Sequence, residues 1–64
     1  MGENLRRHRK HAKLTQEKLA ERAGLSVVFL SLLENGWRAA SMDTLLKLAK
    51  ALDVKLEDLV RGVK

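Results

Sequence analysis

Cysteine is absent from this sequence of 64 residues, and so is any cluster of residues with the spacing of a metal site. A chain of this length buries only about 60% of the surface that its unfolded form exposes. Without disulfide bonds or a bound metal, its stability must come from efficient packing or from a partner. We expect residues 1–64 to form a single domain, and the lack of cysteine fits a reducing compartment.

Long apolar runs are absent as well. Residues 1–12 are rich in basic side chains and contain no apolar stretch, which argues against a secretory signal. No segment approaches the roughly 20 apolar residues that span a bilayer. The sequence therefore predicts a soluble cytoplasmic protein without a membrane partner.

The residue sets that enzymes and metal sites need are missing too. No Ser, His and acid combination or pair of carboxylates suggests a cleft, and a domain of this size has little room to enclose a pocket. His8 and His11 are spaced to share one helix face, but no further His or Cys can complete a metal site. We expect no enzyme activity, no metal or other cofactor, and no small-molecule effector.

Positive charge, by contrast, is in excess and unevenly spread. The formal net charge is +5, and the N-terminal segment holds a group of basic side chains against a single acid, Glu3. The basic residues are Arg6, Arg7, Arg9, Lys10 and Lys13. A basic segment on a small protein favours a polyanionic partner, with nucleic acid ahead of an acidic membrane. Charged helix faces are also common as plain solvated surface, so charge alone does not decide the partner.

Residues 15–35 contain two short helical patterns that are separated by very few residues. Thr15 is suited to cap the N-terminus of the first helix, and Gly24 stands where helices commonly end, because glycine accepts a positive φ. Ser26 offers a second N-cap, and Asn35 followed by glycine ends the second pattern. Two helices joined by a turn of about three residues form a helix-turn-helix. Any hairpin of two helices in a small bundle would show the same periodicity.

The segment resembles the helix-turn-helix of the Cro/phage-repressor family, also called the xenobiotic-response-element (XRE) type. The matching residues are Thr15, Gln16, Leu19, Ala20, Gly24, Leu25, Ser26, Leu30, Ser31, Leu33, Glu34 and Gly36. Outside this segment, the arginine-rich first helix and residues 41–60 are similar to further helices of the family, so the resemblance covers nearly the whole chain. It implies an all-α fold, a compact bundle of five short helices with a central helix-turn-helix, like the DNA-binding domain of lambda repressor.

The same resemblance implies sequence-specific binding of double-stranded DNA by a prokaryotic or phage transcriptional regulator, repressor-like and associated with the nucleoid. In this family the third helix enters the major groove. The residues carried over to its base-facing positions are Val27, Val28, Ser31 and Leu32. Those carried over to phosphate contacts are Gln16, Ser26, Asn35 and Arg38. Amide, hydroxyl and guanidinium groups all suit anionic oxygens.

The resemblance further implies a buried ion pair between Arg9 and Glu34, which would tie the first helix to the end of the third. The alternative is that Arg9 is one more basic side chain that faces a phosphate. The two interpretations differ in whether the arginine is buried.

The base-facing set is unusually apolar, since only Ser31 can form a hydrogen bond. The one apolar feature of the major groove is the thymine methyl group, so the sequence predicts a preference for sites that contain thymine. An alternative from another class of function is a protein-interaction module, such as an antitoxin or an assembly component. That module would use an exposed apolar patch made of Val27, Val28, Phe29, Leu32 and Trp37. Trp37 could also cover the core or lie against a sugar-phosphate edge.

The C-terminal third of the chain predicts a scaffold helix from Met42 to Leu52, capped by Ser41, and a last helix from Leu56 to Arg61. Its apolar residues exceed what a small interior can bury. We expect the surplus to form the interface of a homodimer, a common role of this region in the family. The predicted interface residues are Val54, Leu56, Leu59, Val60 and Val63.

Overall fold

The computed structural model describes residues 2–60, which form five α-helices and no strand. The helices are α1 (Gly2–His11), α2 (Gln16–Ala23), α3 (Val27–Glu34), α4 (Met42–Leu52) and α5 (Leu56–Val60). This confirms the predicted all-α bundle with α2 and α3 as its helix-turn-helix. Helix α4 has the predicted bounds, whereas α5 is described to Val60 and the predicted end at Arg61 lies outside the described residues.

The three predicted N-caps are confirmed. Thr15, Ser26 and Ser41 each have extended backbone angles just before a helix, and each side-chain oxygen accepts a hydrogen bond from an amide of the first turn. The donor–acceptor distances are 3.1, 3.0 and 3.2 Å, respectively. Each cap satisfies a backbone N–H that has no partner inside the helix, and it thereby fixes where the helix begins.

The turn between α2 and α3 depends on Gly24, whose φ of 72° lies in the left-handed region. Its amide bonds back to the carbonyls of Ala20 and Glu21, which closes the helix end. Helix α4 ends in the same conformation at Asp53, with a φ of 58°. An aspartate tolerates this region better than most residues do, so the chain can reverse there without glycine.

The core is built mainly of leucines, and every helix contributes at least one. The fully buried ones are Leu5, Leu19, Leu30, Leu33, Leu48 and Leu59. Helix α2 also contributes Ala20 to the core, which is 2% exposed. A small side chain at a buried position allows neighbouring helices to pack closely.

Helix α1 is held in place largely by polar contacts. Leu5 is its one buried apolar side chain, and its neighbour Asn4 is also buried. The side-chain amide of Asn4 donates to the backbone carbonyls of Asp58 and Leu59. These bonds join the first helix of the bundle to the last.

Gly2 makes a close backbone contact with the end of α3. A Cβ atom at this position would lie 2.6 Å from the carbonyl oxygen of Glu34 and 2.7 Å from that of Leu33. Both neighbours are backbone atoms and cannot rotate away. The start of α1 can therefore lie against the end of α3 only because residue 2 has no side chain.

The predicted dimer residues are not equivalent in the structure, and one of them is wrong. Leu59 has no exposed surface, because it packs into the core of its own chain and cannot contact a second subunit. Val54 and Leu56 are half-buried, Val60 is 41% exposed, and Val63 lies outside the described residues.

The longest described helix, α4, has 11 residues. None of the helices within residues 2–60 is long and apolar enough to cross a membrane.

Candidate nucleic-acid interface

The outer face of α3 consists of Val27, Val28, Ser31 and Leu32, whose spacing places them on one side of the helix. Val28 is 66% exposed and Val27 is 38% exposed, while Ser31 and Leu32 are half-buried. The opposite side carries the core residues of α3. The structure thus brings the four predicted base-facing residues together on one accessible surface.

This face carries no charge. The charged residue of α3 is Glu34, and its carboxylate is fully buried. Ser31 supplies the one hydroxyl of the outer face, and the other three side chains are hydrocarbons. In chemical terms, the surface can exclude water from an apolar group and offer one adaptable hydrogen bond.

The carboxylate of Glu34 is the centre of a polar cluster formed by Arg6, Arg9, Gln16 and Glu34, which we call the Glu34 cluster. Arg9 donates from Nε to Oε2 at 2.6 Å and from Nη2 to Oε1 at 3.2 Å. Gln16 Nε2 donates to Oε1 at 3.0 Å, and Arg6 Nε lies 3.7 Å from the same oxygen. The cluster joins α1, α2 and α3 at one point.

The structure brings the predicted partners Arg9 and Glu34 into a bidentate contact. The side chain of Arg9 is 11% exposed, and its Nη1 also donates to the carbonyl of Leu14 at 2.9 Å. All three of its nitrogen atoms therefore have partners within the chain. This geometry disfavours the alternative in which Arg9 faces a phosphate.

Of the predicted phosphate contacts, Gln16 belongs to the Glu34 cluster and Asn35 lies beside it. Gln16 uses one N–H of its amide for Glu34, so the second N–H remains available for another acceptor. The exposed Asn35 accepts a hydrogen bond at Oδ1 from Arg6 Nη2, at 3.2 Å, and this directs its amide nitrogen away from Arg6. The C-terminal end of α3 thus gathers several N–H donors.

The other two predicted contacts are Ser26 and Arg38. The Ser26 oxygen caps α3 by accepting from the Phe29 amide, which leaves the hydroxyl hydrogen free to donate. The Arg38 guanidinium lies over the ring of Phe29, 5.7 Å from its centroid. This stacking holds an exposed positive charge beside α3.

Arg6 is a residue whose position sequence reasoning missed. It appeared only as a member of the basic N-terminal segment. The structure places its side chain, which is 42% exposed, against both Glu34 and Asn35. Its signal in the sequence is its spacing of three residues before Arg9, which puts both arginines on the side of α1 that faces α3.

Trp37 is 77% exposed and therefore does not cover the core. Its backbone amide donates to the carbonyl of Leu32 at 2.9 Å, so the loop that carries it is folded back on the last turn of α3. The predicted apolar patch is smaller than expected, because Phe29 is packed against the core and covered by Arg38. Its well-exposed members are Val27, Val28 and Trp37.

A second exposed apolar surface lies between α4 and α5. An open groove there is lined by Leu46, Ala49, Lys50, Val54 and Leu56. Leu46 is 50% exposed and was not among the predicted dimer residues. Within residues 2–60, His, Cys, Asp and Glu side chains form no group of three or more that could hold a metal ion.

Comparison with known proteins places this arrangement in a family. A family model described as helix-turn-helix matches residues 5–59. An uncharacterized HTH-type transcriptional regulator of Sinorhizobium fredii is 43% identical over 60 residues, which are 94% of this chain and 78% of that protein.

Solved structures show the same similarity. The restriction-modification controller protein C.AhdI of Aeromonas hydrophila superposes with a TM-score of 0.89 at 40% identity, over 91% of this chain and 88% of that one. The P22 c2 repressor in complex with a synthetic operator superposes with a TM-score of 0.87 at 34% identity, over 95% and 92% of the two chains. The chain belongs to the Cro/phage-repressor (XRE-type) family of helix-turn-helix transcriptional regulators.

Proposed function

We propose that this protein is a repressor-like regulator that binds double-stranded DNA in a sequence-specific manner by inserting α3 into the major groove. The observation that carries the proposal is the exposed and uncharged outer face of α3, with N–H donors arranged around it. An α-helix fits the width of the major groove, and side chains on its outer face can reach the base edges there.

The donors around α3 are suited to phosphates. Arg6, Gln16 and Asn35 lie together at its C-terminal end, and Arg38 is stacked on Phe29. Ser26 adds a hydroxyl at the N-terminal end, where the free backbone amides of the first turn also favour an anion. Such contacts fix the position of α3 in the groove without reading sequence.

The Glu34 cluster gives this arrangement rigidity. Because Gln16 begins α2 and Asn35 directly follows α3, their relative position depends on how α2 and α3 are held together. The buried carboxylate of Glu34 binds Gln16 directly, and Arg6 connects it to Asn35. We infer that the cluster presents preformed phosphate donors, which lowers the entropy lost on binding DNA.

For the base contacts, we propose that Val27, Val28 and Leu32 lie against thymine methyl groups. Hydrocarbon side chains cannot satisfy the donors and acceptors of base edges, but they can remove methyl groups from water. Each methyl-sized group buried is worth about 0.8 kcal/mol. Ser31 would add one hydrogen bond within the same surface.

We propose that the working unit is a homodimer formed through the groove between α4 and α5. A single module of this kind buries only about 600–1,000 Å² on DNA, whereas two modules one helical turn apart combine their contacts. Leu46, Val54, Leu56 and Val60 supply the exposed or half-exposed apolar surface. A regulator of this kind acts where the DNA is, in the cytoplasm at the nucleoid.

The alternative function is a protein-interaction module on the same scaffold, and the exposure of Val28 and Trp37 is the observation that favours it. The two functions differ in what Val28→Asp would do. If α3 reads DNA, the new carboxylate lies in the groove and specific binding is lost. If the patch binds protein, DNA affinity is unchanged and the association with the protein partner is lost.

The test of the proposed function is a selection of bound duplexes from a random pool at physiological salt. We expect an enriched sequence that the protein binds in excess of random competitor DNA, and we expect Val28→Asp to abolish that preference. Lys47→Ala, which lowers the net charge by the same one unit at an exposed position of α4 outside the groove between α4 and α5, is the matched control for the change of charge. Equal binding of all duplexes, with unchanged affinity for Val28→Asp, would refute the proposal.

A further inference from the structure

The outer face of α3 lacks the groups that distinguish one pyrimidine from another. In the major groove, thymine presents a carbonyl acceptor at C4, and cytosine presents an amino donor there. Val27, Val28 and Leu32 can bind to neither. The hydroxyl of Ser31 can rotate to donate to the carbonyl or to accept from the amino group.

The methyl group at C5 is the feature that this face can recognise. Thymine always carries it, and cytosine carries it when C5 is methylated. In both bases the methyl projects into the major groove from the same ring position, beside the C4 substituent. A hydrocarbon side chain that excludes water from one of these methyl groups would do the same for the other.

We propose that the outer face of α3 reads the C5-methyl group regardless of which pyrimidine bears it, so that 5-methylcytosine is a ligand of this protein and cytosine methylation strengthens its binding. This inference rests on the proposed DNA-binding function. It adds that the regulator responds to the modification state of its site and not only to the base sequence.

The absence of charge on the outer face supports recognition of the methyl group on either pyrimidine. An arginine or glutamine there would bind particular base edges through fixed donors and would favour one base pair. Here Glu34 is turned inward into the Glu34 cluster, and the nearby Arg38 is stacked on Phe29. With the charged groups held at the margins, hydrophobic contact is left as the main source of base discrimination.

The expected magnitude follows from the size of a methyl group. Burying one is worth about 0.8 kcal/mol, which corresponds to a change in affinity of about fourfold. Two contacted methyl groups, one in each half-site of a dimer, would change affinity by about fifteenfold if their contributions are independent.

The experiment measures competition binding at fixed salt, using a duplex first selected from a random pool. At each pyrimidine in the selected site, four versions are compared, with thymine, uracil, cytosine or 5-methylcytosine opposite the matching purine. At contacted positions, we expect the protein to bind the duplex with thymine about fourfold more tightly than the duplex with uracil. We expect the duplex with 5-methylcytosine to be bound more tightly than the duplex with cytosine by about the same factor at those positions.

Variants of this chain connect the effect to α3. Val28→Ala should reduce both methyl effects at the same position, and because Val28 is 66% exposed the fold should be unaffected, as a thermal melt can check. Met42→Ala is a matched control, since it shortens an exposed apolar side chain of α4 that belongs neither to the outer face of α3 nor to the lining of the groove between α4 and α5, and it should leave both effects unchanged.

The outcomes separate this inference from the proposed function. If no duplex is selected, the proposed function fails. If a specific site is found but 5-methylcytosine binds no better than cytosine at every position, the DNA-binding function stands and the inference is overturned. A methyl effect that survives unchanged in Val28→Ala, Val27→Ala and Leu32→Ala would also overturn it, because the methyl would then be read by another part of the chain.

Discussion

Gln16 Nε2 lies 3.0 Å from Oε1 of Glu34, so the first residue of α2 is hydrogen-bonded to the last residue of α3. Arg9 from α1 binds the same carboxylate through two nitrogen atoms. The helix-turn-helix is therefore closed by polar contacts at the end remote from its turn. The leucine core and this cluster together set the relative positions of the residues that we propose as phosphate donors.

The first prediction concerns the contact between Arg9 and Glu34. Arg9→Met should destabilise the domain by roughly 3–5 kcal/mol, because it leaves the buried carboxylate without its main partner. The double change Arg9→Met with Glu34→Leu should recover part of this loss, since no uncompensated charge remains. Thermal unfolding measures both. Arg7→Met, at an exposed position of the same helix, is the control, and a single mutant as stable as this control would show that the pair contributes little.

The second prediction concerns Gly2. Replacing a glycine within a helix by alanine usually stabilises the protein, by roughly 0.5–1 kcal/mol. Gly2→Ala should have the opposite sign here and destabilise by about 1–3 kcal/mol, because the new Cβ would meet the carbonyl oxygens of Leu33 and Glu34. Chemical denaturation of this variant beside Glu3→Ala, an exposed neighbour, tests the sign. An increase in stability would mean that α1 does not pack against the end of α3 in this way.

The third prediction concerns Arg38 and salt. Each phosphate neutralised makes log K fall more steeply with log salt concentration, by about 0.9. Arg38→Ala should reduce this slope by about one unit and leave the preferred sequence unchanged. Lys47→Ala removes an equal charge from an exposed position of α4, beside Ala23 and Gly24, and should change the slope much less. A changed sequence preference with an unchanged slope would place Arg38 at a base edge.

The fourth prediction concerns the groove between α4 and α5. Leu46→Glu should convert the dimer to monomer in sedimentation experiments and weaken specific DNA binding, because it places a charge in an apolar contact. The side chain is half exposed, so the fold itself should tolerate the change. Val28→Asp should remain dimeric under the same conditions. If the parent protein sediments as a monomer both free and on its selected site, the dimer hypothesis is wrong.

The fifth prediction uses Trp37, the single tryptophan of the sequence. Because it is 77% exposed, its fluorescence in the free protein should resemble that of a solvated indole and be strongly quenched by acrylamide. Its loop is bonded to the last turn of α3, so binding of duplex DNA should reduce the quenching. Quenching that is unchanged on saturating DNA would mean that Trp37 faces away from the duplex, as an interface for a protein partner would.

Local sequence was sufficient for the starts of α2, α3 and α4 and for the end of α2. Thr15, Ser26 and Ser41 cap the helices that follow them, and Gly24 closes the helix before it, through hydrogen bonds that span only a few residues. Such contacts depend on neighbours in the chain, so a short stretch of sequence contains all the information needed. The family motif also predicted the whole fold and the four residues that form the outer face of α3.

The residues of the dimer surface could not be predicted from local sequence in this way. Leu59 and Val60 are adjacent apolar residues, and periodicity could not tell that the first is fully buried and the second is 41% exposed. Helix α5 is too short for a repeating pattern to define its inner side. Its orientation depends on packing against α1 and α4, which decided that Leu46 and not Leu59 belongs to the exposed apolar surface.

What the sequence determined by itself was the set of helices, their caps, the helix-turn-helix and the family. Tertiary structure decided which distant residues meet. Asn4 bonds to backbone groups 54 and 55 positions away, Arg9 binds a carboxylate 25 positions away, and Gly2 touches the end of α3. Contacts of this kind produce no periodic pattern in the sequence, because they form only after the leucine core has brought the helices together.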